Sequence, residues 1–326
     1  MMDTHQDRLT WQSFRWLVVI LISYVTAGNI PATETWSRWW SYDGISGPNY
    51  WGKTNPDWKL CKHGKQQSPI NIEPSRLLFD PNLKHLKLDS VTVNGILSRT
   101  SQDITLDIRP EGSNLINISL GPLSYTYTVA EIKFHLANND TAGSEHRVSG
   151  RSFPAEMHII AYNSELYKNL SEATKGVKGL TIIAVFMELG KEHNKYFYCI
   201  SQELHRLQHR DNKAQVRDLS MDHLLPKTTE YVTYDGSLTQ PGCYETVTWI
   251  LLNKPLRISK EQLSALRVLY NGRDNDPAWL LESNARPLMP LNHRVVRTNI
   301  NSQKRSRLCT MERDMFYQVN GRYLKT

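Results

Sequence analysis

The sequence predicts a mainly β, α+β domain in which a large central sheet is flanked by short helices. Three observations carry that prediction. Short β-prone runs recur between residues 86 and 132, separated by Pro110-Glu111-Gly112 and Gly121-Pro122 turns. Two longer runs, 156–162 and 180–189, are apolar almost without interruption, as central strands buried on both faces are. Only two stretches, 194–209 and 259–269, repeat apolar residues at helical spacing.

Taken in order, the chain opens with Arg8 and Arg15 ahead of an apolar run, 16–24, followed by the small residues Val25-Thr26-Ala27. This pattern predicts a signal peptide over 1–27, with an uncleaved anchor as the lesser reading, because the run is shorter than the ~20 residues that a membrane span needs. A short segment, 28–35, precedes the folded domain, expected over 36–300, and a basic tail occupies 301–326. Trp36, Trp39, Trp40, Tyr42, Tyr50 and Trp51 mark an irregular arm pinned by aromatic burial.

The expected strands are 103–108, 115–120, 125–132, 156–162, 180–189 and 246–252, with 165–173 a short helix or loop. Phe197, Ile200, Leu204 and Leu207 predict one amphipathic helix over 194–209. His205 and His209 lie four apart on it, but lack a third ligand and read as a solvated polar face. Ser259, with Gln262 three residues on, predicts a capping box at the start of the second helix. No internal repeat divides the 326 residues, so one β-dominated domain is expected.

A formal charge of +7 and a pI near 9.1 favour acidic surfaces without implying nucleic acid. No nucleic-acid partner and no stable membrane insertion are expected. Export makes Asn117-Ile118-Ser119, Asn139-Asp140-Thr141 and Asn169-Leu170-Ser171 credible glycan acceptors. Cys61, Cys199, Cys243 and Cys309 allow three full pairings that spacing alone does not choose between.

The chemistry concentrates in residues 130–136 and 155–158. Glu131-Ile132-Lys133-Phe134-His135 alternates as a strand does, so Lys133, His135 and, across the gap, His158 are expected to face one cavity. Two imidazoles and an ammonium make an incomplete metal site.

These residues belong to five blocks that carry a family resemblance. They are Gln67-Ser68-Pro69-Ile70, Gly143-Ser144-Glu145-His146, Ala155-Glu156-Met157-His158, Tyr234-Asp235-Gly236-Ser237-Leu238-Thr239 and Arg286-Pro287-Leu288-Met289-Pro290-Leu291-Asn292. In this order and spacing the chain resembles the alpha-class carbonic anhydrases over roughly residues 36–300. The resemblance implies a twisted, mostly antiparallel sheet with short peripheral helices and a conical central cavity.

In active members of that family three histidines hold Zn²⁺ at ~2.0–2.1 Å and leave one position for water. The resemblance places the second and third ligands at His135 and His158, and the first at Lys133. Thr239 and Glu145 correspond to the pair that orients zinc-bound hydroxide. Glu156 corresponds to the carboxylate behind the third histidine, and Glu131 is a further neighbour of the ligand positions. Ile160, Ile182, Leu238 and Trp249 correspond to the CO₂ pocket wall. Two positions depart from the pattern: the proton-shuttle histidine falls near Gln102, and the second threonine of Leu-Thr-Thr is Gln240.

Lysine at the first-ligand position has an ordinary pKa of ~10.4 and would put a positive charge where a dication belongs. Burial could neutralise it; otherwise its head would turn to Glu145, Glu131 or water. The expectation is a vestigial cavity without CO₂ hydratase activity and without a resident cofactor, zinc being held at most at low occupancy. The alternative is a zinc-dependent carbonic anhydrase with a degraded two-histidine site.

Within the family the chain is most similar to the acatalytic secreted carbonic anhydrase-related proteins of the X/XI type. The shared features are Lys133, Asn117-Ile118-Ser119, and Tyr234-Asp235-Gly236-Ser237 followed by Cys243-Tyr244-Glu245-Thr246; His158 departs from that subgroup. The resemblance implies a Cys61–Cys243 disulfide, a secreted location, and an extracellular protein receptor of neurexin type as partner. Cys199 and Cys309 pair with each other, or Cys199 is a buried thiol and Cys309 is free.

Overall fold

The computed structural model describes residues 40–100, 102–109, 115–207, 212–267 and 282–301, with short backbone pieces at 304–305 and 310–311. The expected signal peptide, the 28–35 segment, His209, Cys309 and most of the basic tail lie outside the described residues.

Seventeen strands are present among the described residues. The first seven are β1 (Asn71–Ile72), β2 (Leu78–Phe79), β3 (Leu86–Leu88), β4 (Thr92–Arg99), β5 (Ile104–Arg109), β6 (Asn117–Leu120) and β7 (Tyr127–Leu136). The next five are β8 (Arg147–Val148), β9 (Ala155–Asn163), β10 (Leu180–Leu189), β11 (Lys213–Ser220) and β12 (Tyr231–Gly236). The last are β13 (Val247–Leu252), β14 (Leu256–Ile258), β15 (Arg297–Thr298), β16 (Lys304–Arg305) and β17 (Thr310–Met311).

Thirteen of these form one mixed sheet ordered β11-β4-β5-β7-β9-β10-β13-β12-β15-β2, with β3, β6 and β14 attached to its side. Most neighbours are antiparallel; β10 runs parallel to β13 and β14, and β15 parallel to β2. The large, mostly antiparallel sheet expected from the sequence is therefore present.

Both faces of the central strands are covered, which explains their unbroken hydrophobicity. On one face Ile132, Phe134 and Leu136 of β7, Met157 and Ile159 of β9 and Ile183 and Val185 of β10 join a core that includes Phe197, Leu204, Leu263 and Leu266. On the other face Ile160, Ile182, Phe186 and Trp249 pack with Ile70, Phe153 and Tyr234. The site lies on this second face.

A β-bulge decides which residues reach it. β7 and β9 pair Val129 with Ala161 but Glu131 with Ile160, so Ala130 is an extra residue. Tyr127 and Val129 lie in the first core, and without the bulge Glu131, Lys133 and His135 would follow them there. The inserted residue moves all three to the opposite face, and Lys133 stands opposite His158.

The expected helix over 194–209 is corrected. The chain forms one α-turn at Tyr198–Ser201 and a 3₁₀ turn at Leu204–Leu207. The four apolar residues still share the first core, so tertiary burial satisfies the periodicity without a continuous helix. The second helix spans Lys260–Arg267, and its capping box forms: the Gln262 amide donates to Ser259 Oγ at 3.3 Å, and the Ser259 amide donates to Gln262 Oε1 at 3.1 Å.

Tyr42 and Trp51 are buried in the N-terminal arm. Trp51 Nε1 donates to the Ser46 carbonyl at 2.9 Å, and the Arg286 guanidinium lies over the Trp51 ring. Cys61 and Cys243 form a disulfide, tying the arm to the loop after β12. Cys199 is a free, half-buried thiol.

Candidate functional site

His135 and His158 are each about 1 % exposed, their ring centroids 4.4 Å apart. Their tautomers follow from acceptors behind them. His135 Nδ1 donates to the Asn284 carbonyl at 2.9 Å, leaving Nε2 bare toward the cavity. His158 Nε2 donates to Glu156 Oε1 at 2.7 Å, leaving Nδ1 bare. One unprotonated nitrogen from each of two strands therefore enters the same space.

Asn284 fixes the first imidazole from a segment remote in sequence. Its Oδ1 accepts the Leu136 amide at 2.8 Å and its Nδ2 donates to the Phe134 carbonyl at 2.9 Å. The side chain thereby completes the hydrogen bonding of β7 on either side of His135. Nothing local in the sequence signals this role.

Glu156 anchors a chain of buried groups. Its Oε1 also accepts His146 Nδ1 at 2.7 Å, and its Oε2 accepts the His146 amide at 2.8 Å. The Tyr234 hydroxyl lies 2.7 Å from His146 Nε2 and 2.9 Å from Ser68 Oγ. Gly236 permits this approach: a Cβ there would stand 2.3 Å from Ser68 Oγ. His146 and Tyr234 sit inside two of the blocks that carry the resemblance, and only the fold shows them joined to Glu156.

Burial works to raise the Glu156 carboxyl, but the His146 and His158 donors outweigh it and hold the group well below the ordinary carboxylate range. His158 is pushed down to about 3, first by burial and then by the neighbouring His135. The imidazole is thus neutral at physiological pH and keeps its free nitrogen.

Glu145 faces the two imidazoles. Its Oε1 lies 3.5 Å from His135 Nδ1 and accepts the Arg286 amide at 2.9 Å, while its Oε2 lies 3.9 Å from His158 Nδ1. Burial raises this carboxyl, against lowering by His135, the Arg286 amide and the Thr239 hydroxyl. The Thr239 hydroxyl beside the carboxylate favours its charged form.

Lys133 enters the opposite side of the cavity, its side chain 16 % exposed. Its Nζ donates to Gln240 Oε1 at 2.8 Å and lies 3.6 Å from Glu131 and 3.8 Å from Asp103. Gln240 Nε2 in turn donates to Asp103 Oδ2 at 2.8 Å. Burial opposes the charge on Lys133, but Glu131 and Asp103 outweigh it and raise the pKa above the ordinary lysine value. The group is an ammonium, with no lone pair to offer a metal. Of the directions open to it, the lysine takes Glu131 and not Glu145, so Glu131 serves the ammonium and not the imidazoles.

The three-imidazole zinc cage implied by the resemblance therefore does not fit these residues. Two of its nitrogens are presented, and the third position holds a cation. The pocket-wall residues do come together: Ile160, Ile182 and Trp249 are buried in one cluster with Leu238 packed against it. Gln102 contributes its backbone carbonyl to Asn284 Nδ2 at 3.3 Å.

The three candidate glycan acceptors differ. Asn139 and Asn169 are exposed. The Thr141 hydroxyl donates to Asn139 Oδ1 at 2.8 Å, and Asn169 caps the helical turn that follows it. Asn117 is half-buried on β6, its amide donating to Asp89 at 3.0 Å. None of the helices among the described residues is long and apolar enough to cross a membrane.

Comparison with known proteins agrees with this architecture. Residues 46–300 match the eukaryotic-type carbonic anhydrase family. Carbonic anhydrase-like protein 2 of Caenorhabditis elegans is 37 % identical over 265 residues, covering 80 % of this chain and 79 % of that protein. A match over most of the chain, on a sheet that brings His135, His158, Glu145 and Thr239 together, establishes the relationship: the chain belongs to the eukaryotic-type carbonic anhydrase family.

Proposed function

We propose that this protein is a catalytically silent carbonic anhydrase-related protein, secreted, that uses the scaffold as an extracellular binding ligand. One observation carries the loss of catalysis: the ammonium of Lys133 occupies the first-ligand position and is held there by Gln240, Glu131 and Asp103. A site with two neutral imidazoles and a nearby cation binds a dication weakly and does not organise a reactive water. Secretion is supported by the Cys61–Cys243 disulfide and by the exposed acceptors Asn139 and Asn169. The partner proposed is a cell-surface protein of neurexin type, a reading that rests on the resemblance to the X/XI-type proteins.

The test combines metal analysis of the purified protein with a CO₂-hydration assay. Sub-stoichiometric zinc and turnover at the uncatalysed rate are expected. Stoichiometric zinc with inhibitor-sensitive turnover would replace this reading with the second one, a zinc-dependent carbonic anhydrase with an altered ligand set. That second reading draws on the two bare nitrogens of His135 and His158.

A further inference from the structure

We propose that the short turns of the N-terminal arm, with the cleft beside them, form a binding surface for a sulfated polysaccharide chain. Residues 53–65 carry Lys53, Lys59, Lys62 and Lys65 against a single carboxylate, Asp57, and all four lysines are exposed. Lys59, Lys62 and Lys65 make no ion pair among the described residues, and Lys53 lies over the Tyr50 ring at 4.9 Å. The backbone gathers these charges. The Lys62 amide donates to the Lys59 carbonyl at 3.2 Å as the turn Leu60–His63 begins, so the two side chains leave one face. Gly52 lets the preceding turn press against this one: a Cβ there would stand 2.7 Å from Lys62 Cβ, which brings Lys53 alongside. The Cys61–Cys243 disulfide ties the whole group to the domain.

Lys65 leads from this surface into a cleft of about 430 Å³, lined also by Gln66, Asn292, His293 and Arg294. Asn292 Nδ2 donates to the Lys65 carbonyl at 2.6 Å, joining the two walls. Arg294 adds a cation fixed in place, its guanidinium donating to the carbonyls of Gln67, Pro290, Leu291 and Asp235. The acids around the cleft already have partners. Asp235 accepts Lys178 at 2.9 Å, Asp80 accepts Arg297 at 2.9 Å, and Glu245 accepts the Gln66 amide at 2.6 Å. The exposed lysines are therefore the uncompensated charge, and they run into a groove of hydrogen-bond donors. A flexible anionic chain matches that shape, its sulfates meeting the ammonium groups and its hydroxyls the donors. A flat bilayer would reach the lysines but not the cleft. The choice of a polysaccharide as the polyanion rests on the proposed extracellular location, and not on whether the central cavity is catalytic.

The purified full-length protein is titrated with a size-defined heparin oligosaccharide by calorimetry at ~0.05 M and ~0.15 M salt. Binding is expected at both, weaker at the higher salt, and absent with chemically desulfated heparin. Lys59→Gln with Lys62→Gln and Lys65→Gln should weaken it at least ~10-fold. Lys84→Gln with Lys87→Gln and Lys191→Gln removes the same charge from other exposed positions and should leave binding nearly unchanged. No binding at ~0.05 M salt would overturn the proposal. So would equal weakening by the two triple variants, which would reduce the effect to net charge. Loss confined to Lys304→Gln with Arg305→Gln and Arg307→Gln would assign the binding to the basic tail instead, and tighter binding to phosphatidylserine vesicles than to heparin would assign the surface to a membrane. Secretion is judged separately, by the protein's presence in the culture medium: a retained protein overturns the extracellular reading, whereas a failed titration overturns this surface alone.

Discussion

Lys133 Nζ and Gln240 Oε1 stand 2.8 Å apart, joining the middle of β7 to the loop after β12 across the mouth of the cavity. Gln240 also donates to Asp103. These two departures from the family pattern are therefore one structural change, in which a cation and an amide satisfy each other and two acidic side chains.

That coupling predicts how zinc affinity responds to reversion. Lys133→His alone leaves Gln240 aimed at the new imidazole and Asp103 and Glu131 without their cation. Lys133→His with Gln240→Thr should bind zinc at least ~10-fold tighter than the single variant, measured by competition with a chromophoric chelator. Equal affinities would make Gln240 a bystander.

Removing the ammonium should also cost stability. Lys133→Met strips a charged donor from Gln240 and leaves Asp103, already holding an unpartnered buried Oδ1, beside Glu131. A loss of about 1.5–3 kcal/mol is expected in urea unfolding. Adding Asp103→Asn and Glu131→Gln should recover part of it; no recovery would show that the acids are indifferent to the lysine.

The pH dependence follows from His158 and Glu156. His158 is pushed down to about 3 from an ordinary value near 6.5, so the unfolded chain takes up a proton that the native imidazole refuses. Its contribution is complete above pH 6.5 and is lost as pH falls toward 3. Glu156, held well below 4.5, adds a loss over the lower part of the same range. Glu145, raised by burial, acts in the opposite sense and offsets part of both. The urea midpoint should therefore drop between pH 7 and pH 4, and His158→Gln should flatten the upper part of that fall. An unchanged slope in the variant would remove His158 from the account.

The Cys61–Cys243 bridge spans a sequence separation of 182 residues, which by chain entropy corresponds to about 5 kcal/mol. Cys61→Ser with Cys243→Ser should lower the thermal midpoint by roughly 10 °C or more. A shift of only a degree or two would mean that Gln67, Arg286 and the buried arm hold that corner unaided.

Much of this was legible along the chain. The apolar strands, the capping box at Ser259 and the lysine among histidines are local patterns, and local patterns are set by side-chain chemistry and spacing. The apolar periodicity of 194–209 predicts one long helix but reports only a shared buried face, and two separate turns satisfy that requirement equally well.

The amino-acid sequence by itself determined the sheet, the family and the replacement of an imidazole by an amine at residue 133. Tertiary structure alone decided what that amine does. The extra residue Ala130 turns it into the cavity, and Gln240 and Asp103, contributed from elsewhere in the chain, keep it charged. The reason is physical: the ionisation of a buried group is set by neighbours that the fold assembles across long sequence separations, and those neighbours leave no periodic trace along the chain.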